Sequence, residues 1–312
     1  MSKLKGLLLT EGLHGMISQA EGLGKALDLD YFHEKVELNS FWNFIPPNFT
    51  PVHKSVFKNK IEKDFDLIIS CGRKSVIPSI FLKKNSKKKI INIHIQNPKV
   101  SLENFDYVII PDHDNITGKN VINSKGALHY LDINEINKAK KYLEKDIIKD
   151  KGVVSLILGG PTQYYDYSEE NIIKIFSKLN KIIIEKNLQL IVIPSNRTPN
   201  KIINFAKEYF NKNRKVIDNV DKQAYLSALS LSQYIVVTCD SSSMISEAAL
   251  TGKPVYVAMI DPKKNDKRFK KFRKLFMELN IIRELDNDLS TWSYEKLDET
   301  NRIASIIKKK LA

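Results

Sequence analysis

The sequence predicts a two-domain α/β protein whose sheets are mainly parallel. The chain has 312 residues, about twice the usual size of one domain. Short apolar runs alternate with longer segments of amphipathic helical periodicity, a pattern typical of parallel strands covered by helices. The order of strand, glycine turn and helix begins at Gly6 and begins again at Val153. Two successive α/β halves are therefore expected.

The first half contains four strand-like runs. Each is short and largely apolar, and each is followed by glycine, proline or polar residues, as expected of buried parallel strands. The predicted strands are Gly6–Thr10, Asp66–Cys71, Lys89–Ile95 and Asp106–Pro111. Three helices are predicted in this half. The first ends near Leu27, the second begins near Lys74, and the third covers Asn134–Lys145.

The second half follows a predicted linker at residues 146–152 (DIIKDKG), which divides the chain into domains at 1–148 and 149–312. Its predicted strands are Val153–Leu158, Gln189–Pro194, Gln233–Thr238 and Pro254–Met259. Its predicted helices are Ser168–Lys186, Pro199–Phe210, Ser243–Thr251 and Glu295–Leu311. The last helix carries an apolar face and is expected to return to the first domain.

The type and distribution of the basic residues argue against a nucleic-acid partner, although the formal net charge is +14. Only seven of the 50 basic residues are arginine, and the lysines are spread along the whole chain. Arginine is the residue suited to bidentate recognition of bases and phosphates. A dispersed basic surface instead favours nucleotide phosphates or peripheral contact with an anionic membrane.

Membrane spans and a disulfide framework are not expected. No apolar run reaches 18 residues, and the N-terminus lacks a signal-peptide pattern, so we predict a cytoplasmic location, at most peripheral at the inner face of the cell membrane. Cys71 and Cys239 lack CxxC spacing and are expected to be small buried residues.

Three loops of the second half are candidate anion sites, because ligands of parallel sheets bind beyond the carboxyl ends of the strands. Gly159 and Gly160 form either a phosphate-binding turn or a plain tight turn. Arg197 precedes a helix, where an anion is favoured, or is exposed in a loop.

The third loop begins at Asp240, and three serines then open a helix. Free amides at this helix start would face phosphates. Glu247, one turn further along, would accept hydrogen bonds from ribose hydroxyls, or it lies on the solvated face behind a capping residue.

The first half offers candidates for a general base. His113 stands between Asp112 and Asp114 directly after a strand, and Glu11 follows the first strand. Alternatively, the two aspartates only cap their turn. His94 and His129 are further histidine candidates. No metal-binding spacing such as HExxH occurs, so neither a metal nor another cofactor is expected.

Eight segments together resemble one family, the bacterial glycosyltransferase-type proteins grouped with the plant mitochondrial-fission "elongated mitochondria" proteins. The resemblance covers nearly the whole chain, and the segment 236–255 is its most specific part. The segments are GRKSVIP (72–78), IQNP (95–98), FDYVIIPDHD (105–114), GALH (126–129), GGP (159–161), SNRTP (195–199), VVTCDSSSMISEAALTGKPV (236–255) and WSYEKLDET (292–300).

The resemblance implies the GT-B architecture, in which two Rossmann-like domains with parallel sheets face a central cleft and the C-terminal domain holds a nucleotide-sugar donor. Family members often read DGxPGxxxQ near the N-terminus, where this chain reads EGLHGMISQ, with Glu11 for the aspartate and His14 for the proline. The donor-side residues carried over are Gly159, Gly160, Arg197, Asp240, Ser241, Ser243, Met244, Ser246, Glu247 and Lys253.

The predicted function is glycosyl transfer of the hexosyltransferase type, from a nucleoside-diphosphate sugar to an envelope glycan or lipid acceptor, without a metal. Helix N-termini and Arg197 would stabilise the leaving diphosphate. The acceptor's base would come from Glu11 or from the turn at 112–114. One alternative is a nucleotide-sugar 2-epimerase on the same fold. The other is a non-enzymatic membrane- or division-associated protein, which predicts no nucleotide binding.

Overall fold

The computed structural model describes residues 3–61, 63–210 and 214–311. The chain divides into two compact units. The first contains Met1–Tyr130 together with Asp298–Ala312, and the second is the continuous segment Leu131–Leu297. Each unit is built on one six-stranded sheet with helices, which confirms the predicted α/β class.

The sheet of the first unit has the strand order β2-β1-β3-β4-β5-β6, and all of its neighbouring strands are parallel. The strands are β1 (Lys5–Thr10), β2 (Asp30–Lys35), β3 (Leu67–Cys71), β4 (Ile91–Ile95), β5 (Tyr107–Pro111) and β6 (Val121–Ser124). The helices are α1 (His14–Ala26), α2 (Val76–Lys84) and α10 (Glu299–Leu311).

Alternation along β1 shows how both faces of this sheet are buried. Leu8 points into a core that includes residues of α1 and α10, whereas Leu7 and Leu9 point into the core formed with α2. Ile303 and Ile307 of α10 are fully buried in the first of these cores. Successive side chains of a strand point to opposite faces, so a strand covered by helices on both sides is apolar throughout.

The sheet of the second unit has the order β12-β11-β10-β7-β8-β9, again with parallel neighbours. Its strands are β7 (Val153–Leu158), β8 (Gln189–Pro194), β9 (Arg214–Val216), β10 (Tyr234–Thr238), β11 (Val255–Ala258) and β12 (Ile282–Glu284). Its helices are α3 (Ile133–Ala139), α4 (Lys141–Glu144), α5 (Glu169–Glu185), α6 (Asn200–Tyr209), α7 (Lys222–Leu231), α8 (Ser242–Ala249) and α9 (Lys267–Glu278).

The division between the units lies at 130/131, earlier than the boundary at 148 that the sequence suggests. The reason is that α3 and α4 contact α7 of the second unit. The Ser227 hydroxyl of α7 donates to the carbonyl of Lys140 at 2.9 Å and accepts from the amide of Leu143 at 3.1 Å. The segment at 134–145 is also two helices, because the hydrogen-bonding pattern changes at Lys140.

The carboxyl ends of all the strands of a sheet lie at one edge, since neighbouring strands are parallel. In the second unit this edge carries the loops after β7, β8 and β10, which are adjacent in the sheet. In the first unit the loops after β1, β3, β4 and β5 share an edge in the same way. Among the described residues, no helix is both long and apolar enough to cross a membrane.

Candidate functional site

Asp240 organises the carboxyl edge of the second sheet. It follows β10, and its side chain is completely buried. Oδ2 accepts from the amide of Gly160 at 3.0 Å and from Nη2 of Arg197 at 2.7 Å. This carboxylate therefore joins the loops that follow β7, β8 and β10.

The second oxygen of Asp240 accepts from two buried hydroxyls. Oδ1 lies 2.7 Å from the Tyr167 hydroxyl and 2.7 Å from Oγ1 of Thr238. Burial, and then the charge of Asp240, raise the pKa of Tyr167 well above its usual value, so this hydroxyl stays protonated. Both oxygens of this carboxylate are paired, Oδ2 with two N–H groups and Oδ1 with the hydroxyl pair, and Asp240 thus serves the arrangement of the loops rather than offering a free oxygen to a ligand.

The glycine pair is required by close packing inside this network. A Cβ on Gly159 would lie 2.1 Å from Oδ2 of Asp240, and one on Gly160 would lie 2.0 Å from the carbonyl oxygen of Arg197. Their amides are occupied as well, since Gly159 donates to Thr238 at 2.9 Å and Gly160 donates to Asp240. The structure thus gives the pair a packing reason, and its amides are already paired inside the protein.

Arg197 is the polar group that this network presents to solvent. Nη1 donates to the carbonyl of Gly160 at 2.9 Å, and the side chain is 40% exposed. A guanidinium has five N–H groups. With two of them bound to Gly160 and Asp240, the others are available to an anion, although Asp240 offsets part of the positive charge.

The start of α8 carries the other donors at this edge. Ser241 is the N-cap residue, and its hydroxyl accepts from the amide of Met244 at 3.3 Å. No described residue accepts from the amides of Ser242 and Ser243. The first turn of a helix leaves such amides free at its positive end, which is an anion-binding arrangement.

Glu247 lies one turn further along α8 and is 7% exposed. Oε2 accepts from the Tyr225 hydroxyl of α7 at 2.6 Å, and no described residue donates to Oε1. Burial raises the pKa of Glu247 to about 7, against the opposing effect of the bond from Tyr225. Glu247 therefore lies on the inward face of α8 and not on its solvated face. The hydroxyl of Ser246 is likewise turned inward and donates to the carbonyl of Ser242 at 2.8 Å.

Lys253 is the one donor-side candidate that lies away from this edge. It precedes β11 and so lies at the amino end of that strand, opposite the loops described above. Its Nζ donates to the carbonyls of Leu229, at 2.8 Å, and Ser230 at the end of α7. Burial lowers the pKa of Lys253 to about 8. Its position fits capping of α7, because a cation favours the carbonyl end of a helix.

The candidates of the first unit are divided between two loops. Oε1 of Glu11 accepts from the amide of Lys74 at 3.0 Å and joins the loops after β1 and β3. Asp112, His113 and Asp114 form a single 3₁₀ turn after β5. Nε2 of His113 lies 3.7 Å from Oδ1 of Asp114, and the His113 side chain is 7% exposed. That separation is too long for a hydrogen bond.

Three hydroxyl-bearing side chains of the site are absent from the sequence-based set. Thr238 closes β10, and a polar residue ending an apolar run is a signal that points to it. Tyr167 binds Asp240, which is 73 residues away in the sequence, and Tyr225 binds Glu247, which is 22 residues away. No local sequence pattern indicates either contact. Among residues 3–61, 63–210 and 214–311, no group of three or more His, Cys, Asp or Glu side chains is arranged to hold a metal ion.

Comparisons with known proteins agree with this architecture. The family model described as mitochondrial fission ELM1 matches residues 14–311. An uncharacterized protein of Rickettsia prowazekii (strain Madrid E) is 28% identical, with 86% of this chain and 88% of that protein covered. The mitochondrial fission protein ELM1 of Arabidopsis thaliana is also 28% identical over 80% of this chain, and the chain spans 65% of the plant protein's length.

Solved structures show the same fold at low identity. The UDP-GlcNAc 2-epimerase of Neisseria meningitidis, whose structure was determined bound to UDP-GlcNAc, superposes with a TM-score of 0.58 at 13% identity, with 99% of each chain covered. This likeness confirms the predicted GT-B fold, and at that identity it shows the fold alone.

Proposed function

The chain belongs to the mitochondrial fission ELM1 family and has the GT-B fold, and on this premise we propose that it binds a nucleoside-diphosphate sugar at the carboxyl edge of the second sheet. The proposal rests on the polar groups that α8 presents at this edge. Free amides of Ser242 and Ser243 stand at its start, and the buried carboxylate of Glu247 lies one turn further along.

The diphosphate would occupy the start of α8, within the positive end of the helix dipole. Arg197 adds N–H donors on the neighbouring loop. Oε1 of Glu247 would accept a ribose hydroxyl, while Tyr225 keeps the other oxygen in place. In this assignment Gly159, Gly160 and Asp240 shape the loops, and Ser241 and Met244 define the helix start.

The proposed reaction is transfer of the sugar to a hydroxyl of a glycan or lipid acceptor. The acceptor oxygen loses its proton to a base and attacks the anomeric carbon, and the bond from that carbon to the diphosphate breaks. The departing diphosphate gains negative charge, which the amides of α8 and Arg197 would stabilise. For the base we propose the turn Asp112–Asp114, with Glu11 as the next candidate.

Epimerisation is the second candidate, because the solved structure described above is that of a UDP-GlcNAc 2-epimerase bound to UDP-GlcNAc. An epimerase converts the donor without any acceptor. Analysis of the products formed from the donor alone separates it from a transferase. A non-enzymatic protein of this family would bind no nucleotide in the first place.

We also propose contact with an anionic membrane surface, through an exposed aromatic loop of the first unit. Phe41, Phe44 and Phe49 are 66%, 85% and 73% exposed on one loop of the first unit. Residues 38–61 contain three lysines and no acidic residue. Arg73 donates to the carbonyls of Asn43 and Ile45 and holds this loop in place. Exposed aromatic rings beside basic residues are typical of surfaces that bind anionic lipid.

Calorimetric titration with UDP, ADP and GDP tests the donor site. Glu247→Ala should weaken nucleotide binding by roughly 1–3 kcal/mol, the cost of leaving a buried donor without its acceptor. Glu170→Ala, which removes an exposed carboxylate at the start of α5, is the matched control and should leave binding unchanged. Equal affinity for the wild type and Glu247→Ala would reject the assignment.

Turnover measurements test the base separately. Asp112→Asn, His113→Ala and Asp114→Asn should leave nucleotide binding intact, and at least one of them should lower the rate about 100-fold or more, the usual contribution of a general base. Near-normal turnover in all three variants would move the search to Glu11.

A further inference from the structure

A cleft of about 490 Å³ opens at the carboxyl ends of β3 and β4 in the first unit. This volume is within the range of small-molecule sites, roughly 300–1,000 Å³. One wall is formed by Pro46, Pro47 and Asn48, and the other by the segment after β4. The cleft lies entirely within the first unit and shares no residue with the proposed nucleotide site.

His94 lines this cleft and is 1% exposed. Its ring packs against Phe105 with the ring centroids 5.2 Å apart. Nδ1 lies 2.8 Å from Oγ of Ser70, and no described residue is bonded to Nε2. Nε2 is thus the polar atom that this buried ring offers to the cleft.

The bonds of Ser70 determine which ring nitrogen carries the proton. Oγ of Ser70 lies 3.2 Å from the carbonyl oxygen of Ile93 as well as 2.8 Å from His94. A hydroxyl has one hydrogen. Both contacts are satisfied only if Ser70 donates to Ile93 and Nδ1 of His94 donates to Ser70, which leaves Nε2 as an acceptor. Burial lowers the pKa of His94 to about 3, so the ring is neutral at physiological pH.

The remaining lining is cationic and rich in amides. Arg73 and Lys99 supply positive charge, and none of the described Asp or Glu residues lines the cleft. Gln96 and Asn97 supply side-chain amides. Gln96 has a φ of +85°, an uncommon value for a residue with a side chain, and such strain often accompanies ligand sites.

We propose that this cleft binds a phosphorylated sugar, with Nε2 of His94 accepting a hydrogen bond from a sugar hydroxyl and with Lys99 and the unused N–H groups of Arg73 facing the phosphate. The bare Nε2 of His94 can accept from a hydroxyl but has no hydrogen to donate to an anion, so a phosphate alone would leave it unpaired. The site is a second one, and its existence does not depend on the proposed transfer reaction.

Calorimetry on the full chain tests this site with glucose 1-phosphate, glucose and inorganic phosphate as probes, each in the presence of saturating UDP. His94→Phe keeps a ring against Phe105 and should lower the affinity for glucose 1-phosphate about tenfold, the effect of one lost hydrogen bond. The matched control is His33→Phe, because His33 is also bonded to a hydroxyl, that of Thr10 at 2.8 Å, but does not line the cleft.

Lys99→Gln is a second variant at an exposed position, where folding is not at risk. It should lower the affinity for glucose 1-phosphate and leave that for glucose unchanged. The proposal is overturned if glucose 1-phosphate does not saturate the protein, if His94→Phe binds it as tightly as the wild type, or if inorganic phosphate alone binds equally well. A separate UDP titration distinguishes the two sites. Failure of UDP to bind removes the proposed function and leaves this cleft intact.

Discussion

The substitution Asp240→Asn tests whether one buried carboxylate holds the three loops of the second sheet in place. An asparagine has the same shape but no charge, and one of its two terminal atoms is a donor. It fits best with its oxygen facing Gly160 and Arg197, because both are N–H donors. Its NH₂ group then faces the hydroxyls of Tyr167 and Thr238, which rotate to accept.

The expected loss of stability follows from this arrangement. Hydrogen bonds to a charged group contribute about 1.5–3 kcal/mol each, and neutral ones about 1 kcal/mol. In Asp240→Asn the N–H groups of Gly160 and Arg197 keep an acceptor, but that acceptor is no longer charged. The energy lost at Arg197 is discounted because its side chain is 40% exposed to solvent. Asp240→Asn should therefore cost about 2 kcal/mol. Asp240→Ala removes the acceptor altogether and should cost about 3–5 kcal/mol.

Urea unfolding followed by tryptophan fluorescence measures both values. The chain has two tryptophans, one in each unit, so a Trp42→Phe background leaves Trp292 to report on the second unit. Asp261→Asn is the control, because Asp261 is 91% exposed and lies 3.9 Å from Lys174. The reasoning is refuted if Asp240→Asn and Asp261→Asn unfold at the same urea concentration.

Three further results are expected. The folded-state pKa of Glu247 is about 7, above the value of 4.5 for an unperturbed glutamate. Between pH 4.5 and pH 7 the folded chain therefore binds more protons than the unfolded chain, and the free energy of unfolding should fall by on the order of 3 kcal/mol as the pH rises through this range. Glu247→Gln should not show this loss. If the free energy of unfolding changes equally between pH 5 and pH 8 in the wild type and the variant, the prediction is wrong. Gly160→Ala should destabilise the second unit by at least about 2 kcal/mol, since its Cβ would meet the Arg197 carbonyl at 2.0 Å, and an unchanged melting temperature would argue against the tight packing. Flotation with vesicles containing phosphatidylglycerol should recover the wild type at low salt but not a Phe44→Ser, Phe49→Ser variant, and recovery of both would place membrane contact elsewhere.

The eight strands that the sequence predicts are the central strands of the two sheets, and their bounds agree within two residues. The four strands that it misses, β2, β6, β9 and β12, are the outermost strands of the sheets. A central strand is buried on both faces and reads as an apolar run. The residues of β2 are half-buried or exposed, and its sequence DYFHEK has no such run. Burial, and not strand formation itself, is what the hydrophobic pattern records.

The site shows a different limit of sequence reasoning. The positions of Gly159, Gly160 and Asp240 after strands are visible in the sequence, but their partners are set by contacts between distant segments. The glycine amides therefore suggest an open phosphate loop, whereas the structure has them bonded to Thr238 and Asp240. Lys253 belongs to the same motif at 236–255 as Asp240 but lies at the opposite edge of the sheet. Asp240 follows the carboxyl end of β10, whereas Lys253 comes after α8 and precedes the amino end of β11.

The return of α10 to the first unit has a consequence for synthesis on the ribosome. The core beneath β1, β3 and β4 includes Ile303, Ala304 and Ile307, which are made only after the whole of the second unit. The second unit, by contrast, is one uninterrupted segment and is complete before α10 is made. Domains generally fold as units during translation, beginning at the N-terminus. Here the N-terminal sheet cannot complete the core on one of its two faces until α10 has left the ribosome. A nonsense mutation just before α10 would thus harm the half of the protein that was translated first.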